Sequence, residues 1–473
     1  MEFLDRRAEL GWLEEAWGSD RPQLRILYGR RRVGKSRLLD EFAHGKRAIV
    51  YQAVEGTTGD HLRDLTTRIL ELEDDPVLRA GPLPGWDAAL AYLARLARSG
   101  RLLFVFDEYQ YAAQADPTLA SRLQRWWSRD IADLPIYVVL CGSYVRFFVE
   151  NVLTGPLFGR NTGVWQLTPL GYREAGEFFP DWSPEDRVRA YAVVGGVPHY
   201  ILQFDPARSL GWNLARNLLR RGAMLYQEAE LVMREELREP RVYYSILRAI
   251  DEGCTTNARI EQRVYGGERR AHLTAYLDTL RELGFVEQRS PVVGGVRRSI
   301  WTIADPYLRF WFRFVLPNRA ELDRTPDVDA FHRAVVAPRL DEFVSRPAFE
   351  EVCRAWVGRR IDEGAFGASV GPVGAWWGPI PAPAPGQPRR QAEAEVEVVA
   401  AREGRVFVLG EAKWTSAPVD LVVLNRLRRV ARHVPGADAE TRLILFGRRF
   451  DARLREAADK ELVALVGPEE LYA

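Results

Sequence analysis

The residues from Gly29 to Ser36 have the spacing Gly-x-x-x-x-Gly-Lys-Ser within the stretch LRILYGRRRVGKSRLLDEF. An apolar run before them predicts a buried strand, and the residues after them predict a helix, which is the context of a phosphate-binding P-loop. Backbone N–H groups of such a loop point at phosphates. A plain glycine turn is the alternative. The predicted nucleotide-binding residues are Gly29, Gly34, Lys35, which would reach the β- and γ-phosphates of ATP, Ser36, whose hydroxyl would hold Mg²⁺, and Arg37.

Two acidic residues follow the apolar run in RLLFVFDEYQ. A continuous apolar run is typical of a central strand in a parallel sheet that is covered on both faces. Ligands bind at the carboxyl ends of such strands. We therefore predict that Asp107 is a second Mg²⁺ ligand and that Glu108 polarises the attacking water. Surface acids that happen to follow a strand are the alternative.

Two further polar residues lie near predicted strand ends. PIYVVLCGS predicts a third strand that ends at Ser143, whose hydroxyl could contact the γ-phosphate. Arg160 comes just before another strand and is a candidate to neutralise charge in the transition state, either in its own chain or in a neighbouring subunit. The second case would imply a homo-oligomer, and a surface arginine in an ion pair is an equal alternative.

A lysine in the stretch RVFVLGEAKWTS indicates a second reactive site, because the chain has only four lysines against 62 arginines. Glu411 and Lys413 are two residues apart on a predicted strand and so share a face. The acids of QAEAEVEVVAA alternate on the preceding strand. Glu397 and Glu411 are predicted to bind a divalent cation, and Lys413 to orient or deprotonate water, which arginine would do poorly. Glu395 replaces Glu397 if the register differs, and an exposed strand with alternating charges is the alternative.

The predicted elements divide the chain into several parts. A chain of 473 residues is too long for one core and predicts roughly two to four domains. Residues 236–316 predict three amphipathic helices and a hairpin, the order of a winged helix that docks its third helix in DNA. A spacer between proteins is the alternative for this module. The arginines predicted to meet DNA phosphates are Arg269, Arg270, Arg297 and Arg298.

The composition excludes some classes of protein. The net charge is +1, so any binding of nucleic acid must come from local patches. One such patch is Arg426, Arg428, Arg429 and Arg432, for which a solvated helix face is an equal alternative. The N-terminal residues are charged, and no run of about 18 apolar residues follows, so we expect a cytoplasmic protein without membrane spans.

The first 230 residues resemble the AAA+-related, archaeal-type ATPases of the STAND group. This resemblance implies that the leading segment packs near the adenine. It also implies that a helical lid carries Gly196-x-Pro198 and senses the nucleotide, with Pro198 among the binding residues. The matching pieces, in chain order, are FLDRRAELGWLEEAW, GRRRVGKS, FVFDE, LCGS, PLFGR, TPLGYREAGEF and VVGGVPHYI.

The last part of the chain resembles PD-(D/E)xK nucleases, in the version fused to archaeal-type ATPases as a domain of long-uncharacterised function. The matching pieces are AFEEVCRAWV, the Trp pair, EVEVVA, LGEAKW and LILFGRRF. The resemblance makes Glu350 the helix-borne acid and a further metal ligand. The first acid of the pattern is usually Asp, whereas this chain has Glu397, whose side chain is one methylene longer and predicts a looser metal geometry with weaker or no cleavage.

These predictions give an α/β, multidomain fold. The predicted parts are a P-loop AAA+-like parallel sheet (1–170), a helical lid (171–235), a winged helix (236–316), a linker (317–340) and a restriction-endonuclease-like α/β domain (341–473). The predicted function is Mg²⁺-dependent ATP hydrolysis coupled to DNA binding and to metal-dependent DNA cleavage. The alternatives are a STAND-type switch or scaffold with an inactive nuclease-like domain, and a transcription regulator that acts through the winged helix alone.

Overall fold

The apolar runs around the P-loop form one parallel sheet in the computed structural model. The strand order is β2-β3-β4-β1-β5, so the strand before the P-loop and the strand that ends at Asp107 flank β4. Every residue of β3 and β4 is buried, which explains why these strands are continuously apolar. The strands are β1 Gln23–Tyr28, β2 Ala48–Gln52, β3 Leu102–Asp107, β4 Ile136–Gly142 and β5 Gly163–Gln166.

Helices cover both faces of this sheet and form two apolar cores with it. Trp86, Phe104 and Tyr109 belong to one core, and Leu38, Phe42 and Tyr137 belong to the other. The helices are Arg7–Trp17, Lys35–Ala43, Thr58–Leu72, Pro76–Ala80, Trp86–Arg98, Tyr109–Ala115, Leu119–Arg129, and Val145–Phe147, which continues as Phe148–Val152.

The structure describes residues 4, 6–237, 239–266, 272–294, 299–366, 371–381, 391–461 and 463–473. The chain forms two compact units, one made of Met1–Pro169 with Val197–His199 and the other of Leu170–Gly196 with Tyr200–Ala473. The division of the second unit into lid, winged helix, linker and nuclease-like domain stays a prediction. None of the described helices combines the length and apolar character needed to cross a bilayer. The arginines predicted to meet DNA, at 269, 270, 297 and 298, lie outside the described residues.

The second unit begins with helices and continues into three helices and a hairpin. Strands β6 Val286–Arg289 and β7 Ile300–Ile303 are antiparallel and pair Val286 with Ile303. This is the order of elements that the sequence predicted for residues 236–316. The helices are Tyr172–Glu177, Pro184–Val194, Leu210–Asn213 continuing as Leu214–Leu219, Met224–Glu236, Pro240–Asp251, Asn257–Tyr265 and Leu273–Glu282, and the short helix Pro198–Ile201 begins in the first unit and ends in the second.

An aromatic, helical stretch follows the hairpin. Phe310 and Trp311 are fully buried, as expected for core residues. Most of residues 317–340, which we interpreted as a linker, are also helical. The helical segments are Pro306–Phe310, Trp311–Val315, Leu316–Asn318, Arg319–Leu322, Val328–Phe331, His332–Val336, Ala337–Phe343, Val344–Phe349 and Glu350–Asp362.

The stretch FVSRPAFEEVCRAWV does not form one continuous helix. Arg346 has an extended backbone (φ −138°, ψ 130°) and precedes Pro347 in a cis peptide bond. Proline disfavours a helical backbone in the residue before it, which accounts for the break at Arg346. The regular helix therefore starts afresh at Glu350, and Arg346 projects from the break.

The C-terminal sheet has the order β12-β11-β10-β9-β8. β9 is antiparallel to both of its neighbours, β8 and β10, whereas β10, β11 and β12 are parallel. Glu403 and Gly404 connect β9 to β10 with φ values of +52° and +82°, as a tight hairpin requires. The strands are β8 Val373–Pro381, β9 Gln391–Arg402, β10 Arg405–Lys413, β11 Arg442–Gly447 and β12 Ala464–Val466, and the helices are Leu421–Ala431, Ala452–Glu461 and Pro468–Tyr472.

Candidate functional sites

The P-loop runs from the end of β1 to the helix Lys35–Ala43, and its two glycines are required by the backbone. A Cβ atom at Gly29 would lie 2.2 Å from the carbonyl oxygen of Leu167. Gly34 has φ +94°, a conformation that favours glycine. Pro198 lies beside the loop, because a Cβ at Gly34 would lie 3.8 Å from Pro198 Cγ. The P-loop motif and Pro198 therefore lie together, and contact of Pro198 with a nucleotide stays a prediction.

The Lys35 ammonium is 5% exposed and donates hydrogen bonds to the carbonyl oxygens of Gly29 (2.9 Å) and Arg30 (3.1 Å). Ser36 Oγ donates to Asp107 Oδ2 at 2.7 Å. Asp107 is buried, and its other oxygen accepts from the Glu108 backbone N–H at 2.9 Å. A hydroxyl and a carboxylate oxygen thus meet beside the P-loop lysine. Such a donor pair fits the Mg²⁺ of a bound nucleotide.

Glu108 lies directly after β3 in a left-handed backbone conformation (φ +50°), which is uncommon outside glycine and frequent at functional sites. Its Oε2 accepts hydrogen bonds from the Ser143 backbone N–H (3.1 Å), from Ser143 Oγ (2.8 Å) and from the Gln110 amide. Strands β3 and β4 are neighbours, so Ser143 reaches Glu108 from the adjacent strand end. In this arrangement the carboxylate is held by Ser143 and Gln110.

The hydrogen bonds of Arg160 are made with a different set of residues. Its guanidinium donates to the carbonyl oxygens of Pro156 (3.3 Å) and Phe158 (3.1 Å), and its Nε lies 3.5 Å from Ser128 Oγ. Its role in catalysis stays a prediction. Arg37 is the second residue of the helix after Gly34–Lys35, and its predicted contact with the nucleotide likewise stays a prediction.

Two residues of this site were missed by the sequence analysis. Arg6 is 6% exposed and donates to the carbonyl oxygens of Val33 (2.9 Å) and Thr168 (2.8 Å), which fixes the P-loop to the segment after β5. Gln110 contacts Glu108, as described above. The leading segment was singled out by resemblance, but no spacing distinguishes Arg6 from the many other arginines of the chain.

The C-terminal sheet brings Glu397, Glu411 and Lys413 together on one face of β9 and β10. The Lys413 ammonium lies 2.6 Å from Glu411 Oε1 and 3.2 Å from Glu397 Oε1. Both glutamates are 1% exposed. Glu397 is beside Glu411 because β9 and β10 pair Val398 with Gly410. We call these three residues and Glu350 the acid–lysine cluster.

Glu350 joins the cluster from the first turn of its helix and is 5% exposed. Arg354, one turn further on, lies 3.7 Å from Glu350 Oε2 and donates to the Glu397 carbonyl oxygen at 2.9 Å. Arg354 therefore ties the helix to β9. On β9, the predicted alternation of acidic and apolar side chains is seen at Glu393 and Glu395. Glu393 is exposed, and Glu395 is half-buried.

Arginines already occupy the space between these carboxylates. Arg346 contacts Glu350 (3.4 Å), Glu395 (3.7 Å) and Glu397 (3.4 Å) at once. Arg426, one of the four arginines of the predicted nucleic-acid patch, forms an ion pair with Glu411. Among the described residues, no three acidic, histidine or cysteine side chains are arranged to hold a metal ion. The cluster as it stands is thus neutralised by side-chain cations.

The cluster nevertheless keeps features of a cation site. Glu397 Oε2 is buried and has no hydrogen-bond partner within the described part of the chain. Burial raises the pKa of Glu350 to about 7, although Arg354 lowers it. Burial and the neighbouring Glu397 raise the pKa of Glu411, and Lys413 and Arg426 oppose that rise. Buried carboxylates with an unfilled acceptor fit a divalent cation, provided that Arg346 moves away.

The chain matches two protein families. Residues 3–204 match an ATPase domain predominantly from Archaea, and residues 311–426 match archaeal and bacterial proteins of unknown function. An uncharacterized protein of Methanocaldococcus jannaschii is 28% identical over 326 residues, which are 68% of this chain and 70% of that protein. An uncharacterized ATP-binding protein of the same organism is 47% identical over 45 residues, or 10% of this chain and 76% of that protein.

One solved structure has the same fold over most of its length. It is the Walker-type ATPase PABY2304 of Pyrococcus abyssi, with a TM-score of 0.51 and 22% identity over 66% of this chain and 96% of that one. Within this chain, the part that matches the archaeal ATPase-domain family is thus followed by a part that matches the second family. The protein is a P-loop ATPase that binds and hydrolyses ATP.

Proposed function

We propose that this ATPase uses ATP to control the action of its C-terminal domain on nucleic acid. In the first unit, Ser36 and Asp107 would hold Mg²⁺, which would neutralise phosphate charge when bound. The Lys35 ammonium gives up its hydrogen bonds to the loop carbonyls and donates to the phosphates instead. The Glu108 carboxylate gives up its hydrogen bonds with Ser143 and Gln110 and then polarises the attacking water. The support for these roles is the contact between Ser36 and Asp107 beside the P-loop lysine.

In the second unit, the acid–lysine cluster would cleave phosphodiester bonds with the help of a divalent cation. The single observation that carries this proposal is the convergence of Glu397, Glu411 and Lys413 on one face of the sheet. Glu350, Glu397 and Glu411 are the proposed metal ligands. When bound, the metal would polarise the scissile phosphate. Lys413 orients or deprotonates the attacking water, since an ammonium can change its protonation state and a guanidinium cannot.

A second candidate is a nucleotide-dependent switch whose C-terminal domain binds partners without cutting. The observation that favours it is that Arg346 contacts three carboxylates at once. Its guanidinium neutralises their negative charge, as a bound metal ion would. The presence of Glu397 where the nuclease pattern usually has Asp points the same way. The two candidates differ in whether Arg346 gives way to a divalent cation.

The support for coupling is an ionic network around Asp341 in the second unit. Asp341 accepts from Arg189 (2.9 Å), from Trp414 Nε1 (3.0 Å) and from Arg448 (2.8 Å). Trp414 is the residue after Lys413, and Arg189 lies on the helix Pro184–Val194. That helix is followed in the chain by Val197–His199, which belong to the first unit. We propose that movement of this helix with nucleotide state is passed to β10.

The winged-helix module is proposed to contribute DNA contacts through its third helix, Leu273–Glu282. The support is the sequence of three helices and a two-stranded sheet. Arg160 acting on a neighbouring subunit, and hence a homo-oligomer, remains a separate proposal that rests on the position of this residue before β5.

The test is metal-dependent nicking of plasmid DNA by the full chain. We expect nicking with Mg²⁺ or Mn²⁺, and a loss of roughly 100-fold in Glu411→Gln. Lys460→Ala, an exposed lysine on a C-terminal helix, is the matched control and should nick like the wild type. Absence of nicking by the wild type with either metal would favour the switch. Equal nicking by wild type and Glu411→Gln would place the activity elsewhere.

A further inference from the structure

A cavity of about 750 Å³ lies in the second unit between the three-helix module and the C-terminal sheet domain. One wall contains Arg346, Glu350 and Glu395, so the cavity reaches Glu350 of the acid–lysine cluster. The other walls come from β7, from the aromatic helix that starts at Pro306, and from the helix Ala337–Phe343. We call it the arginine-lined cavity, because five arginines line it: Arg289, Arg309, Arg313, Arg339 and Arg346.

Arg309 is the feature of this cavity that most needs a ligand. It is 7% exposed, and within the described ranges its guanidinium donates one hydrogen bond, from Nη2 to the Ala192 carbonyl oxygen at 3.2 Å. Its Nε and Nη1 have no partner among the described residues. The guanidinium also lies 5.0 Å from the centre of the Phe343 ring. A buried cation with two unmatched N–H groups is costly, although the carboxylates of Glu351, Asp305 and Asp251 stabilise its charge, and an anion in the cavity would offset this cost.

Two further arginines lie at the exposed part of the cavity. Arg313 and Arg339 are exposed, and neither forms a salt bridge with a described residue. Arg313 interacts electrostatically with Asp251, which also lines the cavity. Arg289, by contrast, is already paired with Glu287 and Glu351. The cations that remain for a ligand are therefore Arg309, Arg313 and Arg339.

The charges of the cavity are arranged unevenly. The available arginines come from the helical walls, whereas Glu350 and Glu395 belong to the wall formed by the sheet domain. Glu342 and Asp251 also contribute negative charge, so the cavity would not attract every anion equally. A chain of phosphates can contact the arginines with one phosphate while another lies near the acid–lysine cluster. A single small anion cannot do both.

We propose that the arginine-lined cavity holds the backbone of a nucleic-acid strand and leads one phosphodiester to the acid–lysine cluster. This inference rests on the proposed function, because it supplies the substrate path for that cluster. Half-buried Ile300 and the buried Phe314 provide apolar wall next to the arginines. The strand is recognised by its phosphates, so binding is strongly salt-dependent and little dependent on base sequence.

The experiment is fluorescence anisotropy with a labelled single-stranded oligonucleotide and the full chain in EDTA, where no cleavage occurs. The double variant Arg313→Glu/Arg339→Glu changes exposed residues and should not disturb folding. We expect its affinity to fall at least about tenfold, and the dependence of log K on log salt to become shallower by about one for each arginine that contacts phosphate. Arg333→Glu, exposed in the segment His332–Val336 and outside the cavity, should bind within about twofold of wild type.

Arg309→Met tests the buried contact, with its thermal midpoint as a check on folding. Loss of affinity with an unchanged midpoint supports the proposal. Unlabelled oligonucleotide should displace the probe at far lower phosphate concentration than inorganic phosphate or a nucleoside monophosphate. Equal displacement by these small anions would overturn the strand assignment.

The two levels of the proposal fail differently. If the wild type binds the strand and Arg313→Glu/Arg339→Glu binds it equally well, the cavity is not the path, while the proposed action on nucleic acid stands. If the wild type binds no strand, the proposed function itself falls.

Discussion

The P-loop site and the acid–lysine cluster differ in how their charges are balanced. Lys35 is satisfied by two backbone carbonyls of its own loop, which a nucleotide can replace without leaving an ion unpaired. The glutamates of the cluster are instead paired with Lys413, Arg346 and Arg426. A ligand of the P-loop enters a prepared site, whereas a metal at the cluster must first displace a guanidinium. The first site is thus ready for chemistry, and the second is held in a closed, neutralised form.

The largest expected effect is at the prepared site. Lys35→Ala removes the ammonium that would contact the transferred phosphate, so ATP turnover should fall roughly 100-fold or more in a phosphate-release assay. Lys460→Ala is the matched lysine control and should keep wild-type turnover. Retained turnover in Lys35→Ala would mean that the P-loop is not the site of hydrolysis.

The next effect sharpens the comparison at the cluster. Lys413→Arg keeps the positive charge and the ion pairs with Glu397 and Glu411, but it removes the group that can lose a proton. Plasmid nicking should therefore drop by about 100-fold while oligonucleotide binding stays unchanged. Lys460→Arg serves as control. Nicking by Lys413→Arg at the wild-type rate would show that only the charge matters.

A third effect concerns the link between the two sites. Asp341→Asn weakens the contacts to Arg189 and Arg448. It should therefore reduce the effect of ATP on the affinity for the strand by several-fold. A coupling free energy of about 1 kcal/mol between the two sites corresponds to a factor of about five in affinity. ATPase activity and strand binding should each persist when measured alone. Asp181→Asn, an exposed carboxylate near the same helix, is the control. An unchanged effect of ATP on binding in Asp341→Asn would remove this residue from the route.

A last effect tests Asp251, a half-buried carboxyl without a salt bridge to a described residue. Burial raises the pKa of Asp251 to about 6, although Arg313 lowers it. The folded chain then binds more protons than the unfolded chain between about pH 4 and pH 6, so the free energy of unfolding falls as pH rises through that window. Asp251→Asn has no carboxyl to ionise at this position, so its free energy of unfolding does not fall in this way. It should exceed that of the wild type by roughly 2 kcal/mol above pH 6 and differ little from it near pH 4. The check is the thermal midpoint at pH 8 and at pH 4.5, and a lower midpoint of the variant at pH 8 would contradict it.

The two regions also differ in how far the sequence could predict them. The P-loop is continuous in sequence, and Asp107, Glu108 and Ser143 end adjacent strands, so apolar runs and one motif were enough to bring them together. The cluster was predicted from the alternation of β9 and the spacing of Glu411 and Lys413, and its convergence is present in the structure. The resident Arg346 was not predictable, because its position depends on a helix break at Pro347 and on packing between distant segments.

The same limit applies to Arg6, Gln110 and the arginine-lined cavity. Arg6 and Arg309 are each one of 62 arginines, and only tertiary packing distinguishes a buried one from a solvated one. Gln110 lies two residues after Glu108, on a helix whose register against β4 decides its contact. Local patterns predicted strands and helices, whereas partners of buried charges required the folded chain.

The most direct test of the central claim is a titration of the nucleotide-free protein with Mn²⁺, followed by electron paramagnetic resonance. Without nucleotide the P-loop lacks the phosphates that complete its metal site, so bound Mn²⁺ reports on the acid–lysine cluster. We predict that the wild type binds one Mn²⁺, that Arg346→Met binds it more tightly, and that Glu411→Gln does not bind it. Absence of bound Mn²⁺ in both wild type and Arg346→Met would contradict a metal-dependent cluster and leave the switch as the function of this domain.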